Sequence, residues 1–148
     1  GASFEGLVYI LLQRSGFDSI ETGLNKKTLA AYHGIPMKNI NKNIPANIEI
    51  DLVASKEGQT YWFEVKNVKP DSIAMGRWAN HKKNLIFEQL ERLVKLRTDM
   101  GLDDAVKIVS LAHFDLGEGY RQEAHGTGVD EVVYLRRAYL DDLSSYPP

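Results

Sequence analysis

The sequence predicts a small α/β domain, and three observations support that prediction. The segments 47–54 and 61–67 are predicted to be two β-strands, and Gly58 between them predicts a hairpin turn. An amphipathic pattern over 81–100 predicts a long helix. A compact apolar run at 107–112 then predicts a further strand.

The first element is a helix in the segment 3–17. Ser3 is a suitable N-cap, and Gly16 suits the left-handed position just beyond a helix. Glu5 lies in the first turn, where its charge suits the helix dipole. One buried face is indicated by apolar residues at the spacing i, i+3, i+4, namely Phe4, Leu7, Val8, Leu11 and Leu12.

Between this helix and the hairpin the pattern predicts shorter elements. Residues 17–22 are a short strand, and residues 26–32 are a helix or a helical turn. The segment 34–45 is rich in Gly, Pro and Asn and is predicted to be a loop, because Pro36 and Pro45 stop regular structure.

After the hairpin, residues 70–78 form a connection, and Asn80 is a plausible N-cap for the long helix, which Gly101 closes. Residues 115–128 contain four glycines and are predicted to be a loop, and residues 131–135 are the last strand. The apolar stripe of the long helix comprises Leu85, Ile86, Leu90, Leu93, Val94 and Leu96.

Composition excludes several classes of protein. The 148 residues suit one domain spanning 1–148, which could be excised from a longer protein because the chain begins without Met. No apolar run is long enough to cross a bilayer, so we expect no membrane partner. The chain has no Cys, which excludes disulfides and thiolate metal sites, and we expect a cytoplasmic protein. The net charge of −2 argues mildly against a surface that binds nucleic acid everywhere.

The predicted hairpin contains the candidate site residues Asp51, Glu64 and Lys66. Side chains alternate along a strand, so Glu64 and Lys66 share one face, and Asp51 stands on the neighbouring strand. An unpaired carboxylate among apolar neighbours destabilises the fold, and a hard divalent cation bound to its oxygens would remove that destabilisation. The alternative is an ion-pair ladder on the surface of the hairpin, which is common and contributes little. Glu49 has the same parity as Asp51 and either reaches the site or is an edge charge.

Asp51, followed after twelve residues by Glu64, Val65 and Lys66, resembles the signature of the PD-(D/E)xK nuclease superfamily. Ile50 stands where the family name has Pro, a departure found in many members. The similarity is to the resolvase-like and restriction-like branches. It implies a restriction-endonuclease-like core, in which a central mixed β-sheet is flanked by helices.

The resemblance also implies a site and an activity. Asp51, Glu64 and the carbonyl of Val65 would bind Mg²⁺ or Mn²⁺, and Lys66 would orient or deprotonate the attacking water. Glu5 would support the site or a metal; the alternative is a charge on a solvated face. Gln89, placed inside the apolar stripe of the long helix, would point at the active site; the alternative is a core-edge residue bonded to backbone.

The expected partner is DNA, with RNA not excluded. Four residues around the start of the long helix are candidates for contacting nucleic acid, Trp78 by stacking on bases: Arg77, Trp78, Lys82 and Lys83. Cutting both strands commonly requires two active sites in this superfamily, so a homodimer is possible. The predicted function is a metal-dependent endonuclease or other phosphodiesterase acting on DNA. The alternative is a catalytically inactive module of the same fold that binds nucleic acid or a protein.

Overall fold

The computed structural model describes residues 2–66 and 76–134, with the backbone alone described for 2, 3 and 76–84. Within this part of the chain a five-stranded sheet has the order β1-β2-β3-β4-β5. The strands are β1 (Asp18–Asn25), β2 (Glu49–Lys56), β3 (Gln59–Lys66), β4 (Val106–Ala112) and β5 (Glu131–Tyr134). The helices are α1 (Ala2–Arg14), α2 (Lys26–Tyr32), α3 (Gly76–Asp99) and α4 (Glu118–Gly126), with a 3-10 turn at Met37–Asn39.

The sheet is mixed. Strands β1, β2 and β3 pair antiparallel, whereas β4 pairs parallel to β3 and β5 pairs parallel to β4. The parallel pairing brings the carboxyl ends of β3 and β4 together at one end of the sheet. The predicted α/β class, with a central mixed sheet flanked by helices, is confirmed.

Helices cover both faces of the sheet. Helix α1 packs on one face, where Phe4, Val8 and Leu11 meet Phe63 and Val65 of β3. On the other face, α2, α3 and α4 share a larger core with the sheet. Its centre contains the fully buried side chains Leu29, Val53, Trp62, Leu90 and Ile108. Alternation along β3 therefore sends Phe63 and Val65 toward α1, and Trp62 and Glu64 toward α3.

The predicted hairpin is confirmed. Strands β2 and β3 pair from Lys56 and Gln59 back to Leu52 and Phe63. The two residues between the strands, Glu57 and Gly58, have φ angles of 52° and 80°. A two-residue hairpin turn with positive φ at both positions matches the right-handed twist of the strands.

Glycine ends both long helices as predicted. At the end of α1, the amide of Gly16 donates to the Gln13 carbonyl at 3.2 Å, and the amide of Phe17 donates to the Leu12 carbonyl at 3.0 Å. Gly16 has a φ of 89°, which suits a residue without a side chain. Gly101, with a φ of 71°, follows α3 in the same way.

Three predictions about helix positions are wrong. Helix α1 begins at Ala2, so Ser3 lies inside it, and α3 begins at Gly76, so Asn80 lies within the helix rather than capping it. The predicted loop 115–128 contains α4. Its Tyr120 and Ala124, one turn apart, are both buried in the core, and this burial outweighs the poor helix propensity of its glycines.

No helix in the described part of the chain is long and apolar enough to span a membrane.

Candidate active site

A cleft of about 680 Å³ opens at the end of the sheet where β2 begins and β3 ends. Helix α1 contributes its first turn, α3 contributes its middle, and the segment before β2 forms the remaining wall. The lining residues are Glu5, Pro45, Asn47, Ile48, Glu49, Asp51, Glu64, Lys66, Gln89, Arg92 and Leu93. Five predicted site residues, Glu5, Asp51, Glu64, Lys66 and Gln89, are thus brought together.

Asp51 is held in place by the backbone of the neighbouring strand. Its Oδ2 accepts a hydrogen bond from the Val65 amide at 2.8 Å. The paired positions of β2 and β3 end at Leu52 and Phe63, so this side chain takes the place of a ladder carbonyl. Asp51 also lines the cleft.

Glu64 is one residue before that amide and points toward α3. It is only 7% exposed, and its Oε1 lies 2.9 Å from Lys66 Nζ. Burial, followed by the nearby charge of Asp51, raises the pKa of Glu64 to about 7. The ammonium of Lys66 offsets only part of this rise.

Asp51 and Glu64 are neighbours in the cleft, and the negative charge of Asp51 contributes to the raised pKa of Glu64. The pKa of Asp51 is raised by burial, against the opposing effects of the Val65 amide and Lys66. When one of these two partly buried carboxyl groups is ionised, its negative charge raises the free energy of ionising the other. The pair therefore retains a proton that an ordinary surface carboxylate would have lost.

Lys66 lies between this pair and α3. Its Nζ donates to Gln89 Oε1 as well as pairing with Glu64. The prediction that Gln89 lies inside a buried stripe is wrong, because Gln89 is exposed to the cleft; Leu85, also assigned to the stripe, is 45% exposed. The backbone-bonded alternative is not what the structure shows, since the partner of Gln89 is the lysine side chain.

Glu5 lies at the cleft from the first turn of α1. Its pKa is raised by partial burial, then by the charge of Asp51, and more weakly by that of Glu49. Glu49 also lines the cleft, so its parity with Asp51 does bring it to the site. Both glutamates add negative charge to the cleft, and neither forms an ion pair with another described residue.

The donor set suits a hard cation but is smaller than predicted. In the described ranges, no group of three or more His, Asp or Glu side chains is arranged to hold a metal ion. Asp51 and Glu64 therefore form a pair, and Glu5 does not complete a three-carboxylate site. The remaining ligands would be the Val65 carbonyl, water and substrate oxygens, which are the ligands Mg²⁺ ordinarily keeps.

Some predicted residues lie outside this description, and one cleft residue was not singled out from the sequence. The side chains of Arg77, Trp78, Lys82 and Lys83 fall outside the described residues. Arg92 lines the cleft, although in the sequence it was one of several basic residues on the long helix. Its position three residues after Gln89 is the signal that would have identified it, because residues i and i+3 share a helix face.

Comparison with known proteins supports the fold and leaves the function open. No family model and no curated protein matches the chain. The chain is similar to the crystal structure of AF1548, a protein of unknown function, with a TM-score of 0.52 and 17% identity. The match covers 91% of this chain and 57% of that protein, so the similarity extends over little more than half of AF1548. At this identity the similarity shows a shared fold alone.

Proposed function

We propose that the chain is a metal-dependent phosphodiesterase that hydrolyses DNA, with Asp51, Glu64 and Lys66 as its catalytic residues. The observation that supports this proposal is the Asp51–Glu64 pair, two carboxyl groups with raised pKa values that line an open cleft beside Lys66. The spacing of these residues is also that of the PD-(D/E)xK signature described above.

The pair is an unfavourable arrangement for a structural role. Burying a carboxylate without full compensation is destabilising, and a second carboxylate beside it adds to that effect. A structural ion pair would be arranged so that cations satisfy the acids. Here a single lysine, Lys66, pairs with Glu64, donates to the side-chain amide of Gln89 and lies close enough to Asp51 to lower its pKa. Unfavourable charge at an accessible cleft is typical of a functional site.

Asp51 and Glu64, with the Val65 carbonyl, would hold Mg²⁺ or Mn²⁺. The bound ion supplies a water of lowered pKa and offsets negative charge on the phosphate under attack. Occupation by the ion also removes the reason for the two carboxyl groups to retain a proton.

Lys66 performs the positioning step. Fixed between Glu64 Oε1 and Gln89 Oε1, its Nζ can orient the attacking water or donate to the phosphate oxygen that gains charge. Gln89 restricts the lysine to that position. Glu5 and Glu49 add negative charge at the same end of the cleft and so favour cation entry.

The overall reaction consumes one water. The water oxygen forms a bond to phosphorus, the bond from phosphorus to the leaving oxygen breaks, and the leaving oxygen takes the proton. The products are one phosphate monoester end and one hydroxyl end. If both strands of a duplex are cut, a homodimer would supply the second site.

Calorimetric titration with Mn²⁺ tests the proposal directly. The parent should bind, Asp51→Ala should not, and Asp104→Ala should match the parent, since Asp104 is an exposed aspartate outside the cleft. Cleavage of linear and branched DNA in Mg²⁺ should be lost by at least about 1000-fold in Asp51→Ala, with an unchanged circular dichroism spectrum.

The outcomes separate the two functions. Binding of metal and loss of cleavage in Asp51→Ala would support the nuclease. Metal binding without cleavage of any nucleic acid by the parent would favour the inactive binding module. Equal metal affinity in the parent and Asp51→Ala would refute the site itself.

A further inference from the structure

Arg92 differs from the other cation of the cleft in what it contacts. Lys66 is engaged by Glu64 and Gln89, whereas Arg92 makes no hydrogen bond or ion pair with another described residue. Four carboxyl groups line this cleft against these two cations. A phosphate that enters the cleft would therefore lie among negatively charged side chains, and the Arg92 guanidinium would be free to bind it.

The position of Arg92 relates it to the reacting group. It follows Gln89 by three residues on α3, so the two side chains share a face and are separated by a rise of about 4.5 Å. Gln89 bonds the lysine proposed to act on the scissile phosphate. Arg92 lines the same cleft as Lys66, farther along α3 than Gln89. Its guanidinium is therefore placed for a phosphate other than the one on which Lys66 would act.

A second, smaller cleft of about 200 Å³ continues from the first. The two share Pro45, Ile48 and Arg92, so Arg92 lies at their junction. The second cleft runs along α3 past Lys95, whose ammonium is 3.1 Å from Asp99. The opening is thus elongated along the helix and suits a linear chain better than a compact monomer.

We infer that Arg92 binds a phosphate flanking the scissile one, so that the preferred substrate of this site is a polynucleotide strand rather than a substrate with a single phosphodiester. The inference rests on the proposed function of the same cleft. Arginine suits the role because its planar guanidinium can donate two parallel hydrogen bonds to phosphate oxygens.

The test compares two substrates in Mg²⁺: a 20-nucleotide single strand and a dinucleoside monophosphate, which has no flanking phosphate. Arg92→Ala should raise KM for the 20-mer about 10- to 100-fold, the effect of one charge-assisted contact, with little change in kcat. Hydrolysis of the dinucleotide should be unchanged. Arg92→Lys should recover part of the loss, and Arg14→Ala, an exposed arginine outside both clefts, should match the parent.

Each result has a definite meaning. An equal loss on both substrates would show that Arg92 acts as general positive charge, and the flanking-phosphate contact would be wrong. Unchanged kinetics on the 20-mer would also overturn it, while the parent's cleavage would leave the proposed function standing. A parent that cuts neither substrate nor any other DNA in Mg²⁺ would refute both.

Discussion

Two charged clusters lie at opposite ends of the sheet, one around the buried Arg97 and one around the buried Glu64, and they are built differently. At the beginning of β4 and β5, Arg97 donates to Asp130 Oδ2 at 2.7 Å, to the Val106 carbonyl at 3.0 Å and to the Gly128 carbonyl at 3.3 Å. Its Nε lies 3.6 Å from Asp103 Oδ1. One cation thus meets two acids and two carbonyls, and it ties α3 to the loop before β5.

The cluster at the cleft has the opposite balance. Two carboxyl groups there lie beside one lysine, and the pKa of each is raised. At the Arg97 cluster, one cation bonds acids and carbonyls and holds secondary-structure elements together. At the cleft, acids outnumber the cation, an arrangement that suits the external cation of the proposed function.

The largest expected effects come from replacing the cation of each cluster, Arg97 in one and Lys66 in the other. Arg97→Met should lower the free energy of unfolding by about 1.5 to 3 kcal/mol, because Asp130 and two carbonyls lose the guanidinium, while Asp130 Oδ2 keeps its hydrogen bond from the Ile108 amide. Lys66→Met should lower stability far less and reduce turnover about 100- to 10,000-fold. Urea denaturation and single-turnover cleavage of the same variants measure both effects.

Exposed Lys107→Met is the control, with neither effect expected. If Lys66→Met cut DNA as well as the parent does, the assigned role of the lysine would be wrong. A large loss of stability from Lys66→Met would instead make the two clusters alike.

The sequence predicted the part of the site that depends on strand alternation. Asp51, Glu64 and Lys66 meet because a hairpin has a fixed period and a two-residue turn, both readable from the chain. Gln89 was correctly placed near the site but wrongly placed inside the core. A single residue on a helix sits at the border between buried and exposed faces, and periodicity alone cannot assign it to one side.

The missed elements depend on tertiary contacts. Glycines at 117, 119, 126 and 128 predict a loop, yet Tyr120 and Ala124 hold α4 against the core, and the Tyr120 hydroxyl is 3.1 Å from Ser110 Oγ. The Arg97 cluster joins residues that are up to 33 positions apart in the sequence, so no local sequence pattern predicts it. Arg92 shares a helix face with Gln89, and the cleft distinguishes it from the other basic residues of α3.

In the metal-free protein, the free energy of unfolding should depend on pH because of the raised pKa of Glu64. The pKa of Glu64 in the folded protein, about 7, lies above its ordinary value of 4.5. The stability that its protonated form contributes is therefore present below about pH 4.5 and lost as the pH rises through 7, a change of about 3 kcal/mol. Urea unfolding in EDTA from pH 4.5 to 8 measures it against Glu64→Gln, in which this loss should be absent.

Glu118→Gln is the matched control, because Glu118 is exposed and pairs with Arg121 on the surface of α4. Its pH dependence should follow that of the parent. Parallel curves for the parent and Glu64→Gln would mean that Glu64 titrates as an ordinary surface acid, and the contrast between the two clusters would fail.

The smallest expected effect concerns Gln89, and it separates a positioning residue from a packing residue. Gln89→Leu removes the acceptor for Lys66 Nζ while leaving the Glu64 contact intact. We expect kcat to fall about 10-fold, the value of one hydrogen bond to a charged group, with Mn²⁺ affinity and the urea midpoint unchanged. Gln122→Leu, an exposed glutamine on α4, controls for added apolar surface. A shifted urea midpoint with unchanged kcat would assign Gln89 to the core edge. A fall in kcat alone would place it with Lys66 in the cleft, because the lost hydrogen bond to Lys66 Nζ then accounts for the whole effect.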